Sequence, residues 1–287
     1  MINAETQLYG VIGNPVRHSL SPILHNGVFR RMGLNAAYTA FEVKNLEEAV
    51  SGIRGLGIRG VSVTIPYKTE VIPFLDKLEG VAGKIQAVNT IHNEGGKLIG
   101  YNTDWSGALE ALEEKVDLKG KKVFLLGAGG TARAIAFALK KRDCQVFVFN
   151  RTLEKGKRLA DELGFVYLPL SALHGVAGMD APVIINATSV GMAPKDTESI
   201  FPKELLRPGM VVMDIVYHPL RTELLRVAEE RRCQTIDGLE MLARQGAAQI
   251  EIWTGQKPNI EEIKEDLRRA LDKSATRFQP SAVSKDK

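Results

Sequence analysis

The pattern of hydrophobic and polar positions alternates along the chain between short apolar runs and longer amphipathic segments. Residues 61–65, VSVTI, place an apolar side chain at every second position, which is typical of a strand with one face in a core. Residues 123–126, VFLL, are continuously apolar, as in a strand buried on both faces. Segments with helical spacing lie between such runs. Alternating strands and helices predict an α/β protein with mainly parallel sheets.

The chain up to residue 116 carries the elements of one α/β unit. Ser21 is the predicted N-cap of the first helix, with Pro22 at the first helical position, and Asn45 caps the second helix. Residues 93–96, NEGG, predict a hairpin turn. Strands are predicted at 8–13, 37–43, 61–66, 87–92 and 97–102, and helices from 21, from 46, over 69–78 and over 104–116.

A second series of strands begins after residue 120. Because the two helices that end the chain have no sheet of their own, we expect them to pack back on the first unit. Strands are predicted at 121–127, 145–150, 182–189, 210–217 and 234–238, with helices over 132–142, 240–253 and 259–273. The predicted domains are residues 1–104 plus 239–275, residues 105–238, and a flexible tail over 276–287.

Composition narrows the class of protein. The chain has 287 residues, of which 44% are hydrophobic and 25% charged, which fits two modest globular domains. No apolar run approaches the roughly 18 residues of a membrane span, and residues 1–13 do not resemble a secretory signal. Cys144 and Cys233 are far apart and form no metal or redox spacing. We therefore expect a cytoplasmic protein.

Charge and histidine content exclude two further classes of partner. The net charge is +4 and only 6% of residues are aromatic, with basic residues spread among acidic ones. Nucleic-acid-binding proteins instead cluster basic residues with aromatics, so no nucleic acid is expected. The five histidines form no H-E-x-x-H or similar pattern, and no metal is predicted.

The segment 127–132, GAGGTA, directly follows a predicted strand and opens a helix. It matches the G-x-G-x-x-G/A fingerprint, in which the first glycine permits a tight turn and the second lets the backbone approach a pyrophosphate. The N–H groups at the helix start would then receive the phosphates. A dinucleotide is therefore expected against Gly127, Ala128, Gly129, Gly130 and Thr131.

The end of the following strand indicates which dinucleotide binds. An NAD site usually has an acidic residue about 20 residues after the fingerprint, where it bonds the ribose 2′-hydroxyl. This chain has Asn150 there, followed by Arg151, Thr152 and Lys155. An acid would repel a 2′-phosphate, whereas arginine can bind one with paired hydrogen bonds. NADP is therefore favoured over NAD.

Several further segments resemble those of the shikimate dehydrogenase family, in order and over nearly the whole chain. They are GNPVRHSLSPILHN (13–26), VTIPYK (63–68), AVNT (87–90), GYNTD (100–104), NATSVGM (186–192), DIVYHP (214–219) and GLEMLARQG (238–246). Members reduce the C3 ketone of 3-dehydroshikimate with NADPH, on the pathway to chorismate and aromatic amino acids. The resemblance implies an N-terminal substrate domain, a Rossmann NADP-binding domain and a cleft between them.

The resemblance also assigns a catalytic pair, Lys68 and Asp104. Hydride delivery to a ketone leaves an alkoxide, and a lysine beside a carboxylate can stabilise that charge and relay a proton. Asp104 would keep Lys68 oriented and charged. Whether Lys68 donates the proton or acts mainly as an electrostatic stabiliser is left open by the sequence.

Binding residues follow from the same resemblance. Ser19, Ser21 and Tyr217 would hold the substrate carboxylate, and Thr64, Asn89 and Gln245 the ring hydroxyls. Thr188, with Ser189, would line the nicotinamide ribose, Ile215 and Gly238 would flank the nicotinamide ring, and Met241 would close the pocket. The family's phosphate loop is rich in alanine, and Thr131 departs from it by adding a hydroxyl.

Two other functions are compatible with these residues. One is a quinate/shikimate dehydrogenase with relaxed substrate or cofactor preference, for which an acid at 150 or 151 would have been the expected sign. The other is a non-catalytic NADP-sensing module with the same fold, since fold alone does not establish activity. The sequence leaves the oligomeric state open, with a homodimer as one option.

Overall fold

The computed structural model describes residues 2–176, 178–194 and 196–277, with side chains up to residue 273. Two six-stranded sheets explain the alternation of strands and helices. The first sheet and its helices are β1 (Gln7–Gly13), α1 (Ser21–Arg31), β2 (Ala36–Glu42), α2 (Leu46–Gly55), β3 (Gly60–Val63), β4 (Lys77–Leu78), α3 (Ala82–Ile85), β5 (Thr90–Glu94), β6 (Lys97–Tyr101) and α4 (Asp104–Glu113).

The second sheet is built by the middle of the chain, and two long helices end the described residues. These elements are β7 (Lys122–Leu126), α5 (Gly130–Lys140), β8 (Gln145–Asn150), α6 (Leu153–Leu163), β9 (Val166–Pro169), β10 (Val183–Asn186), β11 (Val211–Asp214), α7 (Glu223–Glu230), β12 (Gln234–Ile236), α8 (Gly238–Thr254) and α9 (Ile260–Arg277). No helix in the described ranges is both long and apolar enough to cross a bilayer.

The two sheets differ in topology. The first has the order β2-β1-β3-β5-β6-β4, with β3–β5 and β5–β6 antiparallel and the other pairs parallel. The second is parallel throughout, in the order β12-β11-β10-β7-β8-β9. This is the doubly wound order of a dinucleotide-binding domain, which places its ligand crevice at the switch point between β7 and β10. The predicted α/β class is confirmed.

The C-terminal helices cover one face of the first sheet. Their side chains Ile250, Trp253 and Ile263 share a buried cluster with Tyr9 and Leu24 of the N-terminal elements. The Trp253 indole donates a hydrogen bond to the carbonyl of residue 91 in β5 at 3.0 Å. Helices α8 and α9 therefore complete the core of the first domain.

Some predicted elements differ from the observed ones. Ser21 is the first residue of α1 and Leu20 its N-cap, and the Ser19 hydroxyl accepts from the Ser21 N–H at 3.2 Å. Residues 69–78 are not a helix, because Pro73 cannot donate within one, and only Ile72–Phe74 makes a 3₁₀ turn. Strand β9 was not predicted. Helix α9 extends to residue 277, and the rest of the predicted tail, 278–287, lies outside the described residues.

Candidate active site

Lys68 and Asp104 meet at one end of the first sheet. Lys68 follows β3 after the break at Pro66, and Asp104 opens α4 directly after β6. The Lys68 Nζ donates to Asp104 Oδ2 at 2.5 Å. The two side chains are only 13% and 4% exposed, so the ion pair is largely shielded from water. Shielding makes an ion pair a stronger electrostatic element than the same pair at a surface.

Asn89 ties this pair to the rest of the site. It is 2% exposed, and its Nδ2 donates to Asp104 Oδ1 and Thr103 Oγ1, both at 2.9 Å, and lies 3.2 Å from Gln245 Oε1. Its Oδ1 accepts from the Thr103 N–H and the Thr90 hydroxyl, both at 2.8 Å. One buried amide therefore fixes the carboxylate that holds Lys68.

Gln245 reaches the same cluster from α8. Its backbone carbonyl accepts from the Thr103 hydroxyl at 3.0 Å, and its Nε2 donates to the carbonyl of residue 242. Helix α4 packs closely here, since a Cβ at Gly107 would lie 2.9 Å from the Gln245 N. Helix α8 thus supplies an amide to the site from a segment far along the chain.

Ser19, Ser21 and Tyr217 converge near the start of α1. Tyr217 comes from the loop after β11 in the second domain, and it hydrogen-bonds the Ser19 side chain and the Leu20 backbone. Burial raises the pKa of the Tyr217 phenol, while these hydrogen bonds oppose the rise. Ser21 is buried and lies beside the Tyr38 phenol. Hydroxyl groups from both domains therefore meet near the start of α1.

Thr64 directly follows β3, four residues before Lys68. Its methyl group packs on Gly13, where a Cβ would come within 2.4 Å of Thr64 Cγ2. The Thr64 side chain is half-buried, and it makes no hydrogen bond to any residue in the described part of the chain. A half-buried hydroxyl group of this kind can form a hydrogen bond with a ligand.

The phosphate loop has the backbone that its fingerprint requires. Gly127 has a φ of +112°, and a Cβ there would meet the Ala187 carbonyl at 3.0 Å. At Gly129, by contrast, a Cβ would have nothing within 4 Å. Open space in front of this backbone, at the start of α5, gives a pyrophosphate room to approach the N–H groups. Ala128 lies between these two glycines. The fit to a dinucleotide is therefore good.

Gly130 and Thr131 do not face this open space. A Cβ at Gly130 would lie 2.7 Å from Lys68 Cβ, and the Lys68 Nζ donates to Thr131 Oγ1 at 3.0 Å. The first turn of α5 is thus in direct contact with the lysine of the other domain.

The strand end that would receive the 2′-phosphate is exposed. Asn150 Nδ2 donates to the Thr152 carbonyl at 2.8 Å, which folds the turn into α6. Arg151 and Lys155 are both exposed, and neither has a salt bridge to a carboxylate among the described residues. Their charges are therefore available to an anion.

Two polar residues that the sequence did not single out organise the ends of β10 and β11. Asp214 accepts from Asn186 Nδ2 at 3.0 Å and from the Thr222 hydroxyl at 2.8 Å, and Asn186 Oδ1 accepts from the Thr188 hydroxyl at 2.7 Å. Burial raises the pKa of the Asp214 carboxyl to about 6. Asn186 begins the motif NATSVGM and Asp214 begins the motif DIVYHP. A polar residue at the end of a strand does not by itself indicate which other side chain it will bond.

Gly238 and Ile215 lie together at the far side of this crevice. A Cβ at Gly238 would come within 2.4 Å of the Ile215 carbonyl, so the start of α8 packs against the end of β11 as only glycine allows. Met241 is buried in the core of the second domain, where it packs with Leu112 and Ile236. Among the described residues, no group of three or more His, Cys, Asp and Glu could hold a metal.

A doubly wound sheet with a glycine phosphate loop, placed against a buried lysine–aspartate pair, defines a dinucleotide-dependent oxidoreductase of two domains. Comparison with known families makes this specific. Residues 11–91 match the shikimate dehydrogenase substrate binding domain, residues 110–240 match shikimate / quinate 5-dehydrogenase, and residues 238–268 match the shikimate 5′-dehydrogenase C-terminal domain. The chain belongs to the shikimate dehydrogenase family.

Individual relatives agree. A shikimate dehydrogenase (NADP(+)) of Pyrococcus furiosus is 52% identical over 262 residues, which cover 91% of this chain and 95% of the relative. The crystal structure of a shikimate dehydrogenase in complex with NADP+ superposes with a TM-score of 0.88 at 46% identity, over 94% of this chain and 98% of that one. The Thermus thermophilus enzyme, in complex with NADP(H) and shikimate, gives 0.84 at 38% identity, over 93% and 100%.

Proposed function

We propose that this protein catalyses the reversible, NADP-dependent reduction of 3-dehydroshikimate to shikimate, in the biosynthesis of chorismate and aromatic amino acids. The observation that carries the proposal is the shielded contact of 2.5 Å between Lys68 Nζ and Asp104 Oδ2, next to the phosphate loop. Two relatives that are identical to this chain at about half of the aligned positions are named shikimate dehydrogenase (NADP(+)). Their names support both the reaction and the cofactor.

The cofactor-binding roles follow the crevice of the second domain. Bound NADPH would supply the hydride that reduces the ring ketone. The N–H groups from Gly127 to Thr131 would hold its pyrophosphate, and Asn150, Arg151, Thr152 and Lys155 its 2′-phosphate. Thr188, Ile215 and Gly238 would line the nicotinamide end.

Lys68 is suited to stabilise the oxygen that gains charge. An ammonium has three N–H donors, and two are used, on Asp104 and Thr131. The remaining donor is free for the substrate oxygen, to which Lys68 would deliver a hydrogen bond and a proton. Asp104 holds the ammonium in place, and Asn89 holds Asp104. Because these groups are fixed before the substrate arrives, little reorganisation is needed during reaction.

The substrate is oriented by hydroxyl and amide side chains. Ser19, Ser21 and Tyr217 would bind its carboxylate, near the start of α1, where the helix dipole also favours an anion. Thr64, Asn89 and Gln245 would bind the ring hydroxyls. Tyr217 comes from the second domain, so substrate would be held by both domains at once.

Initial rates of NADP reduction test the function. We expect strong turnover with shikimate and NADP, and rates at least tenfold lower with quinate and NADP or with shikimate and NAD. Comparable rates with quinate or NAD would instead indicate a broader quinate/shikimate dehydrogenase. Binding of NADPH without turnover of any substrate would indicate an NADP-sensing module.

Three finer points belong to the same proposal. We assign residues 1–104 with 239–275 to the substrate domain and 105–238 to the NADP domain, which hinge near 104 and 238. We place the protein in the cytoplasm, without a nucleic-acid partner. Light scattering at micromolar concentration would decide between a monomer and a homodimer.

A further inference from the structure

Thr131 makes a contact that its place in the phosphate loop does not require. It is the second residue of α5, and its hydroxyl accepts a hydrogen bond of 3.0 Å from Lys68 Nζ. The same ammonium donates to Asp104 at 2.5 Å. Lys68 is therefore held between a carboxylate of the substrate domain and a hydroxyl of the dinucleotide domain.

The contact is part of a wider seam between α5 and the substrate domain. The stem of Lys68 packs directly on Gly130, where no Cβ would fit. Further along α5, the buried Arg133 donates from Nε to the carbonyl of residue 85 at 2.8 Å, and Ala134 packs with Ile85 and Ala87. This seam holds α5 beside the substrate domain beyond its first turn, so the Thr131 hydroxyl in the first turn is within reach of Lys68.

The start of α5 is also where the cofactor phosphates would bind. Gly129, one residue before the helix, faces open space, while Gly130 and Thr131 face Lys68. Phosphates that bind the N–H groups at this helix start would fix the first turn of α5. A fixed first turn holds the Thr131 hydroxyl in place, and with it the orientation of the ammonium.

We propose that Thr131 is a positioning residue that couples occupancy of the phosphate loop to the orientation of Lys68. The proposal rests on the proposed function, because it assumes that Lys68 contacts the substrate oxygen. It predicts that cofactor and shikimate bind cooperatively, and that the cooperativity passes through one hydroxyl group. By linkage, each ligand must raise the affinity for the other by the same factor.

The first test compares Thr131→Val with Thr131→Ser. Valine keeps the shape and branching of threonine but removes the hydroxyl, and serine keeps the hydroxyl. We expect T131V to lower kcat about tenfold, the effect of losing one hydrogen bond to a charged group, with KM for NADP changed less than twofold. T131S should retain kcat within about threefold of the parent protein. Thermal melting of both variants checks that the fold is unchanged, and Thr131→Ala replaces T131V if valine unfolds the chain.

The second test measures coupling without turnover. Shikimate and NADPH are both reduced and cannot react with each other, so calorimetry can measure the shikimate Kd with and without saturating NADPH. We expect NADPH to tighten shikimate binding by about fivefold or more in the parent protein and in T131S. In T131V the tightening should fall below twofold.

The outcomes separate this proposal from the proposed function. If the parent protein turns over shikimate while T131V keeps full kcat and full coupling, Thr131 does not position Lys68. A raised KM for NADP at unchanged kcat would make Thr131 an ordinary cofactor-binding residue and overturn the proposal. If the parent protein does not turn over shikimate, the proposed function fails first, whatever T131V does.

Discussion

The two sides of the candidate site are built in opposite ways. On the substrate side, buried side chains bond one another, and Asn89 and Asp104 are 2% and 3% exposed. On the cofactor side, the backbone at Gly129 faces open space, and Arg151 and Lys155 are exposed. The substrate side is therefore organised before a ligand arrives, whereas the 2′-phosphate end would gain its contacts only from the ligand.

This difference determines what a substitution should change. A buried group with several partners leaves those partners unsatisfied when it is removed, so stability and turnover fall together. An exposed arginine without an ion pair contributes little to folding. Substitutions on the substrate side should therefore affect both properties, and those at the 2′-phosphate end should affect affinity alone.

The largest effect is expected for Lys68→Met. Methionine keeps an apolar stem against Gly130 but removes the ammonium, so the developing charge on the substrate oxygen loses its partner. We expect kcat to fall by about 10³-fold, or about 4 kcal/mol of transition-state stabilisation, with the Kd for shikimate changed less than threefold. If the Kd rose and kcat survived, Lys68 would be a binding residue and the mechanism would be wrong.

Asn89→Ala should be next, because it removes the amide that fixes Asp104 and the Thr103 N–H. We expect a loss of about 2–4 kcal/mol in the free energy of unfolding, together with a large fall in kcat. Urea denaturation and initial rates measure the two effects. The matched control is Asn93→Ala, since Asn93 in β5 is equally buried and its side chain bonds, among the described residues, only backbone atoms of residues 53, 58 and 96. N93A should lose stability but keep kcat, and equal kinetic losses in both variants would contradict this account of Asn89.

Sequence alone predicted the fold class, and it named residues that the structure brings together at the candidate site, because the informative signals were local. The strand, glycine turn and helix of the phosphate loop are adjacent in the chain, and Lys68 and Asp104 each lie in a short recognisable motif. The misses concern contacts between distant segments. Nothing in the sequence pairs Asn186 with Asp214, or Thr131 with Lys68, since those distances depend on how strands and domains pack. Ser21 was misplaced by one residue for a similar reason, because Ser19 provides the hydroxyl that accepts from its N–H.

Two buried groups, one in each domain, should contribute to the pH dependence of stability with opposite signs. Burial lowers the pKa of His25 in the substrate domain to about 4 and raises that of Asp214 in the second domain to about 6. Between pH 7 and 5 the unfolded chain takes up a proton at His25 that the folded chain does not, which costs about 2 kcal/mol of stability. Over the same interval the folded chain takes up a proton at Asp214 that the unfolded chain does not, which adds about 1 kcal/mol.

If either group is removed, thermal melts at pH 5 and pH 7 should show the effect of the remaining group on stability. His25→Phe retains a ring to stack on Tyr38. This variant should lose less stability between pH 7 and pH 5 than the parent protein does. Asp214→Asn should steepen the loss of stability between pH 7 and pH 5. Its melting temperature should also be lower at both pH values, because the new NH2 group would face a donor on either side, the Val216 N–H at one oxygen position or the Thr222 hydroxyl at the other. The same pH dependence in both variants and the parent would mean that neither group titrates as stated.

The sharpest test of the contrast is Arg151→Ala, which should change the affinity for one cofactor and no property of the free protein. Loss of one charged hydrogen-bond set to a 2′-phosphate should weaken NADPH binding by about 1.5–3 kcal/mol, while NADH, which lacks that phosphate, should bind within about twofold of the parent. The melting temperature should not change, because Arg151 is exposed and holds no carboxylate among the described residues. Arg158→Ala is the matched control, since this arginine is also exposed on α6 and is 3.9 Å from its nearest carboxylate partner, Glu162. R158A should alter the affinity for neither cofactor. If R151A weakened the binding of NADPH and NADH equally, the preference for NADP would have to come from another part of the crevice. The exposed charges after β8 would then not be the binding site of the 2′-phosphate.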